Sequence, residues 1–503
     1  MTQRTALCGT TAILIALAGT AHAEVTGADV WNNWKSAAES VGQILTPGSE
    51  SQDGDTLTIS DLQITMDVPD VDITGSIANV EFRDNGDGTV TMSMSPSYTM
   101  SIDASSDDAE DAQIEVSVNQ EGLTMVASGD PDAITYDFLA ASMVVSVDSL
   151  QVEDESFDTP ATFTITDIDG KYLVNSGEMT EIDSEMSAGK LVIEIAANEP
   201  DGGSGKLAFN AEIADIEISS AGSLMFMADP TMISSALADG MNSTTKMTYG
   251  ATTYDMDFVD GRDAFAMQGS NATGLLDIAL SGDGLRYGVS NTGVAFTLSG
   301  SEIPLPEIAV GMGEFGFSFM MPVAKSETPG DIGMNFTLRD LTVSDMIWGM
   351  IDAGGQLPHD PATLIVDLAG KANWLFDIFD PEAGEMDMEL PGELHALDIN
   401  EMELTIAGAS LTGTGGFTFD MNDMESFDGV PAPTGALDLK LVGGNGLMDT
   451  LVAMGLLPEE QAMGARMMMG LFARPGDGED TLISKIEIDG ATGAISANGQ
   501  RLQ

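Results

Sequence analysis

The chain has 503 residues, 17 Lys+Arg against 81 Asp+Glu, a formal charge of −64, 43% apolar residues and one cysteine. A field of that sign repels phosphate backbones and anionic headgroups, which excludes nucleic acid as a partner and electrostatic docking on an anionic membrane. Charged residues are only 19% of the chain, so this is a folding sequence and not an acidic disordered tail.

Arg4 precedes an apolar stretch over residues 12–18, too short to span a bilayer. Ala21-His22-Ala23 supplies a small-x-small pattern. A signal peptide over residues 1–23 is therefore expected, cleaved between Ala23 and Glu24. Cleavage takes Arg4 from the 17 basic residues and nothing from the 81 acids. Cys8 lies in the removed segment, ahead of its apolar core and badly placed for a lipoprotein cysteine. The mature chain is then without thiols and is held by burial and strand pairing. No later stretch approaches about 18 uninterrupted apolar residues, so no transmembrane segment is expected after signal removal. The localisation implied is periplasmic, or alternatively secreted.

An N-terminal helix is expected within residues 24–50. Thr26 and Asp29 resemble a capping box. Val30, Trp34, Ala37 and Val41 form a helical stripe with Trp31 beside it, and Gly42 is a natural stop. Trp31 and Trp34 read as an aromatic anchor onto the core.

From about residue 55 the period becomes two. Leu57/Ile59, Leu62/Ile64/Met66/Val68, Val90/Met92/Met94, Ile114/Val116/Val118, Met143/Val145/Val147 and Leu191/Ile193/Ile195 alternate with polar residues, as strands with one wet face do. Asn85-Gly86, Asp169-Gly170, Asp283-Gly284, Asn445-Gly446 and Asp489-Gly490 read as turns. One pattern recurs: two alternating apolar residues, an Asp, then two more with the phase slipped by one. It occurs around Asp61, Asp215 and Asp340, more weakly around Asp167, and with Ser149 in the Asp place. Such a slip implies either a β-bulge that bends the strand or a tight turn between short strands. Three helical interruptions follow: a short one over residues 230–237, one capped by Ser344 and stopped by Gly354-Gly355, and a helix pair. In that pair Leu447, Leu451 and Met454 make one stripe and, after Pro458, Met463, Met467 and Leu471 make another.

The expected fold is mainly β: one or two long curved antiparallel sheets of amphipathic strands, with a few short helices at ends and edges. A first β-rich region spans residues 51–220. A helical interruption spans 221–245. A second β-rich region spans 246–503, with helices near 344–354 and 447–474.

No catalytic motif is present, and no catalytic, cofactor-binding or metal-ligating residue is assigned. His359, between Pro358 and Pro361, reads as a turn histidine within reach of Asp360. Gly202-Gly203-Ser204-Gly205-Lys206 lacks the first Walker glycine and reads as a loop. Asp84-Asn85-Gly86-Asp87-Gly88-Thr89 places glycines where a calcium loop needs oxygen ligands, and reads as a hairpin turn. Asp107/Asp108/Glu110/Asp111 and Asp377/Asp380/Glu382/Glu385 read as solvated acidic loops with at most weak affinity for Ca²⁺. The 33 methionines read first as core filling and second as a soft lining for apolar partners.

Three segments carry a family resemblance: Val30-Trp31-Asn32-Asn33-Trp34; Leu357-Pro358-His359-Asp360-Pro361-Ala362-Thr363-Leu364-Ile365-Val366-Asp367-Leu368; and Gly455-Leu456-Leu457-Pro458 through Ala465-Arg466-Met467-Met468, leading to Ile495-Ser496-Ala497-Asn498-Gly499-Gln500. Together they resemble the secreted alphaproteobacterial domain-of-unknown-function family 2125, over nearly the whole mature chain. The resemblance implies an exported Gram-negative protein and supplies no activity. His359 stands where that pattern leads one to expect a basic residue, often Arg. More distantly, the slipped amphipathic strands and the Asn498-Gly499 turn are similar to large AsmA-like periplasmic β-proteins, which implies lipid handling at the envelope. The function expected is a non-enzymatic envelope protein that binds an acyl chain, another apolar ligand or an envelope partner on a curved sheet, without cofactor. The alternatives are an acidic surface or matrix protein with weak Ca²⁺ binding, and a purely structural or interaction protein.

Overall fold

The computed structural model describes residues 25–502 except 69–70, 107–108, 153–154, 158–159, 176, 178, 200–202, 225–231, 380–391 and 428. The expected signal cleavage at Ala23 and Glu24 lies outside the described residues. Strand accounts for 66% of the chain and helix for 12%, and all strands belong to one antiparallel sheet.

At one edge β1 (Gln43–Thr46) and β2 (Ser49–Asp53) lie in line along β3 (Thr56–Val68), which pairs with β4 (Val71–Asp84). The next row is β5 (Val90–Met94) continued by β6 (Ser97–Ser106), and the next β7 (Ala109–Glu121) continued by β8 (Thr124–Asp130). Then come β9 (Ala133–Val152), with β10 (Glu155–Phe157) hairpinned on its end, β11 (Ala161–Asn175), β12 (Thr180–Asn198) and β13 (Lys206–Leu224). β14 (Asn242–Tyr249) and β15 (Thr252–Asp260) share a row, as do β16 (Asp263–Asn271) and β17 (Thr273–Ser281). A plain meander follows through β18 (Gly284–Gly300), β19 (Ile308–Met321), β20 (Gly330–Val343), β21 (Ala362–Trp374), β22 (Gly392–Ile406), β23 (Ala409–Asp420) and β24 (Ala432–Val442). It ends with β25 (Arg474–Pro475) on β26 (Thr481–Asp489), then β27 (Ala494–Ala497) and β28 (Gln500–Arg501). Pairing of β13 with both β14 and β15 carries the sheet unbroken across residues 221–245. Among the described residues no pairing joins the first edge to the last, so the sheet is open and not a closed barrel.

Among the described residues five short helices decorate it: α1 (Gly27–Glu39), α2 (Ile233–Ala238), α3 (Asp345–Ile351), α4 (Gly444–Ala453) and α5 (Glu459–Phe472). The capping box at Thr26 and Asp29 forms as expected. The helix ends at Glu39, and β1 and the first two residues of β2 also fall within the 24–50 region. Ser344 sits at the N-cap of α3, but its hydroxyl makes no capping bond.

The recurring Asp positions all lie within strands, and all four are in the left-handed region: Asp61 at φ 51°, Asp167 at 54°, Asp215 at 51° and Asp340 at 54°. Asp tolerates this conformation better than most residues because its short carboxylate bonds locally. Each lies against a glycine of a neighbouring segment. A Cβ built on Gly48 would sit 2.8 Å from Asp61 Cβ, and one on Gly313 would sit 2.9 Å from Asp340 Oδ2. Gly189 and Gly250 stand in the same way beside Asp167 and Asp215, at 3.0 and 3.1 Å from the carboxylates.

Neither expected alternative describes three of these sites. Ser60↔Asn79 and Leu62↔Ile77 flank Asp61 with the same register on both sides. The same holds at Asp167 against β12 and at Asp215. No extra residue is inserted, because the neighbouring strand slips its apolar phase at the same level. Leu57 and Ile59 give way to Leu62 on β3 as Ile77 gives way to Val80 and Phe82 on β4, and all six are buried. The kinks line up into a crease across the rows. Only Asp340, where Leu338↔Leu364 is followed by Leu341↔Ala362, carries a true bulge against its neighbour. In the Ser149 copy the inserted residue is Asp148, opposite the Glu115/Val116 step.

Two turn readings are corrected. Asp169-Gly170 lies inside β11; the missing side chain of Gly170 makes room for Phe138, whose Cζ would be 2.4 Å from a Cβ there. Asn445-Gly446 opens α4, where both residues bond the Asp480 carboxylate.

Candidate functional site

The two faces of the sheet differ in chemistry, and the apolar face differs along its length. Over the first strands α1 closes it. Val30, Trp31, Leu57, Ile59, Leu62, Val80, Phe82, Val90, Met92, Ile134 and Tyr136 form one buried cluster. Trp31 packs 5.9 Å from both Trp34 and Phe82, and its Nε1 donates to Glu50. Tyr136 donates to Asn33 Oδ1 at 2.8 Å. Burial pushes the Tyr136 phenol up and the stacked Tyr172 phenol up to about 12. The expected aromatic anchor is therefore the lid over this end.

Beyond the lid the face opens. Cross-strand partners share a face, and their register traces one apolar row: Met125, Phe138, Gly170, Met186, Ile218 and Met247, then Leu276, Val289, Phe317, Phe336, Val366 and Met402. At about 4.8 Å per strand it runs for about 50 Å. Every side chain on it is half-buried, neither sealed nor free. The row beside it over β9 to β13, Ala140, Ile168, Ala188 and Ile216, is buried, and Phe138, Met186, Ile218 and Met247 pack against it. A further row, Leu338, Leu364, Leu404, Leu411, Leu441 and Leu482, runs beside the long one through six strands. Leu364 and Leu404 are 36% and 41% exposed. Tyr287, Phe317 and Phe319 cluster with ring centroids 5.7 to 6.5 Å apart, and Phe315 meets Phe336 edge-on at 6.1 Å. Near the far end of these strands a cavity of about 250 Å³ is lined by Pro322, Ile332, Ala372, Trp374 and Leu394. Trp374 is fixed there by donating to Pro322 O at 2.6 Å. Four methionines stand on the long row. The single-strand pattern could not place them there, because the row exists only through cross-strand register.

Two larger hollows have mixed linings. One of about 730 Å³ spans β8 to β14, where Asp137, Lys171, Glu185 and Lys246 stand among hydroxyls, Val126, Leu139 and the row members Phe138, Met186 and Ile218. Another of about 650 Å³ includes Lys440, Arg474 and Lys485 among acids.

No residue was assigned to catalysis or metal from sequence, and the histidines take structural places. His359 does not pair with Asp360. Its ring stacks on Trp348 at 4.2 Å, and its Nε2 lies 3.7 Å from the buried Asp352 carboxylate. Backbone N–H donors of Gln356 and Leu357 hold Asp352 below the usual carboxylate range. His395 Nε2 meets Asn373 Oδ1 at 2.6 Å. Asp87 serves its own turn, accepting from Thr89 N and Oγ1. Met225, Met227 and the acids 107–108, 380, 382 and 385 lie outside the described residues. Among the described residues no group of three or more His, Cys, Asp or Glu is placed to hold a metal ion. No helix among them is long and apolar enough to cross a membrane.

The fold and face define a mainly β protein built on one open antiparallel sheet. Over residues 256–489 the sequence matches the family described as "Uncharacterized protein conserved in bacteria (DUF2125)". The match takes in the segments at 357–368 and 455–468. Val30–Trp34 and 495–500 lie outside it, so its extent is narrower than the resemblance implied. Comparison with curated proteins finds no match. Among solved structures, BauA, the ferric preacinetobactin receptor from Acinetobacter baumannii, aligns at 7% identity over 88% of this chain and 75% of that one. Its TM-score is 0.16, too low to bear on fold or function.

Proposed function

We propose that this is a non-enzymatic, exported envelope protein of an alphaproteobacterium, whose apolar sheet face holds an acyl chain or similar apolar ligand in the periplasm. The observation that carries the reading is the long half-buried row from Met125 to Met402. An apolar surface of this length on a folded chain marks a binding surface, and its methionines suit chains of varied shape. The likeness to AsmA-like periplasmic proteins belongs to the same reading. Burying a sixteen-carbon chain yields about 13 kcal/mol gross at roughly 0.8 per CH₂, comparable with binding costs of about 4–15. The acidic surface keeps a phosphate headgroup outside, so affinity varies weakly with salt or rises with it. The test is native mass spectrometry of protein purified from its own periplasm, followed by organic extraction. An apolar adduct that is lost in Phe317→Asp supports the reading. A bare polypeptide mass with no extractable lipid overturns it.

A further inference from the structure

The stripe expected on the last helix forms, but it faces water. On α5, Met463 is 65% exposed, Met467 73%, Met468 54% and Leu471 51%, with Leu456 of the preceding turn at 54%. The helix is tied to the rest of the chain at a few points. Ala462 is buried, Arg466 pairs with Asp449 of α4, and Phe472 O accepts from Ser484 Oγ at 2.6 Å and Asn498 Nδ2 at 2.9 Å. The stripe is set at i, i+4 and i+8 along about 12 Å of helix.

We infer that this stripe is a docking site for a cationic amphipathic helix of another protein. An exposed apolar ridge of this kind takes an apolar ridge of matching period, and methionine adapts to its partner's side chains. Charge selects the partner's flanks. Exposed Glu459 and Glu460 stand before the stripe and exposed Asp477 and Glu479 after it; of the two nearby cations, Arg466 is paired with Asp449 and Arg474 is exposed just past Leu471, and the chain as a whole carries a formal charge of −64. Lys and Arg flanking the partner's ridge meet this field favourably. A second copy of this chain and an anionic bilayer both meet it with the same sign and are opposed. The inference is independent of what the sheet face binds.

The test uses the full mature chain and a fluorescent Leu/Lys helical peptide, with a sequence-scrambled peptide of equal composition beside it, at physiological and at high salt. The amphipathic peptide binds more tightly than the scrambled one, and the preference persists at high salt. Met463→Ser, Met467→Ser and Leu471→Ser combined weaken the amphipathic peptide by about tenfold or more and leave the scrambled peptide unchanged. Met463→Leu with Met467→Leu, Leu471 kept, retains binding, which separates lost contact from lost fold. Equal binding of both peptides, or no change in the serine variant, overturns the inference. So does partitioning of the protein onto phosphatidylcholine vesicles, or self-association, that the serine variant abolishes.

Discussion

At the scale of single residues, Asp61, Asp167, Asp215 and Asp340 do what no other acid among the described residues does. They leave the extended region without ending the strand. The left-handed conformation costs an ordinary L-residue roughly 1–2 kcal/mol, and glycine escapes that cost. Asp61→Ala therefore destabilises by about that amount, while Asp61→Gly costs less. Gly48→Ala also destabilises, because its new Cβ lies 2.8 Å from Asp61 Cβ with backbone close behind. Denaturant midpoints of the three variants check the order. Equal midpoints for the Ala and Gly variants at position 61 remove the backbone explanation.

At the scale of elements, the strands were legible because a one-sided sheet writes period two into the sequence, and the kinks because a phase slip shows within one strand. What stayed hidden depends on neighbours. That Asp61 on β3 and the Ile77/Val80 slip on β4 share a level is a fact of pairing, not of either segment. Gly170 resembled a turn because the ring of Phe138 above it is distant in sequence. The α5 stripe was legible as a stripe, but its direction was set by Ala462, Arg466 and the anchoring of Phe472. The loop after α3 yields a pH prediction. Asp352 is held below its ordinary value, so its contribution is complete above the unfolded value near 3.9 and is lost as pH falls through the lower folded value. Asp352→Ala is therefore less stable than the wild type at pH 7, and the gap narrows below about pH 4. Denaturation at the two pH values measures it; a gap that widens in acid contradicts the assignment.

At the scale of the whole molecule, one sheet lives in two regimes. Under α1 it has a sealed core; from β17 to β24 its apolar row is only half-buried, with α2 packed over the Leu280/Leu285 end. Large-to-small substitution therefore has unequal effects on the same residue type. Phe82→Ala, at 0% exposure, costs about 3–5 kcal/mol. Phe317→Ala, on the open row, costs well under half of that in ligand-free protein. Similar losses at the two sites contradict a half-buried row. The first edge of the sheet is blunted for the same open architecture: β2 is short, wholly exposed and acidic, and Pro47 precedes it, features that discourage edge-to-edge pairing.

The crease also has a geometric meaning. Kinks that fall at one level in adjacent strands divide each of those strands into two stiff panels joined along a common fold line. Register is kept on both sides, so the ladders run through that line without a break. The line itself is drawn by aspartates and the glycines they lean on.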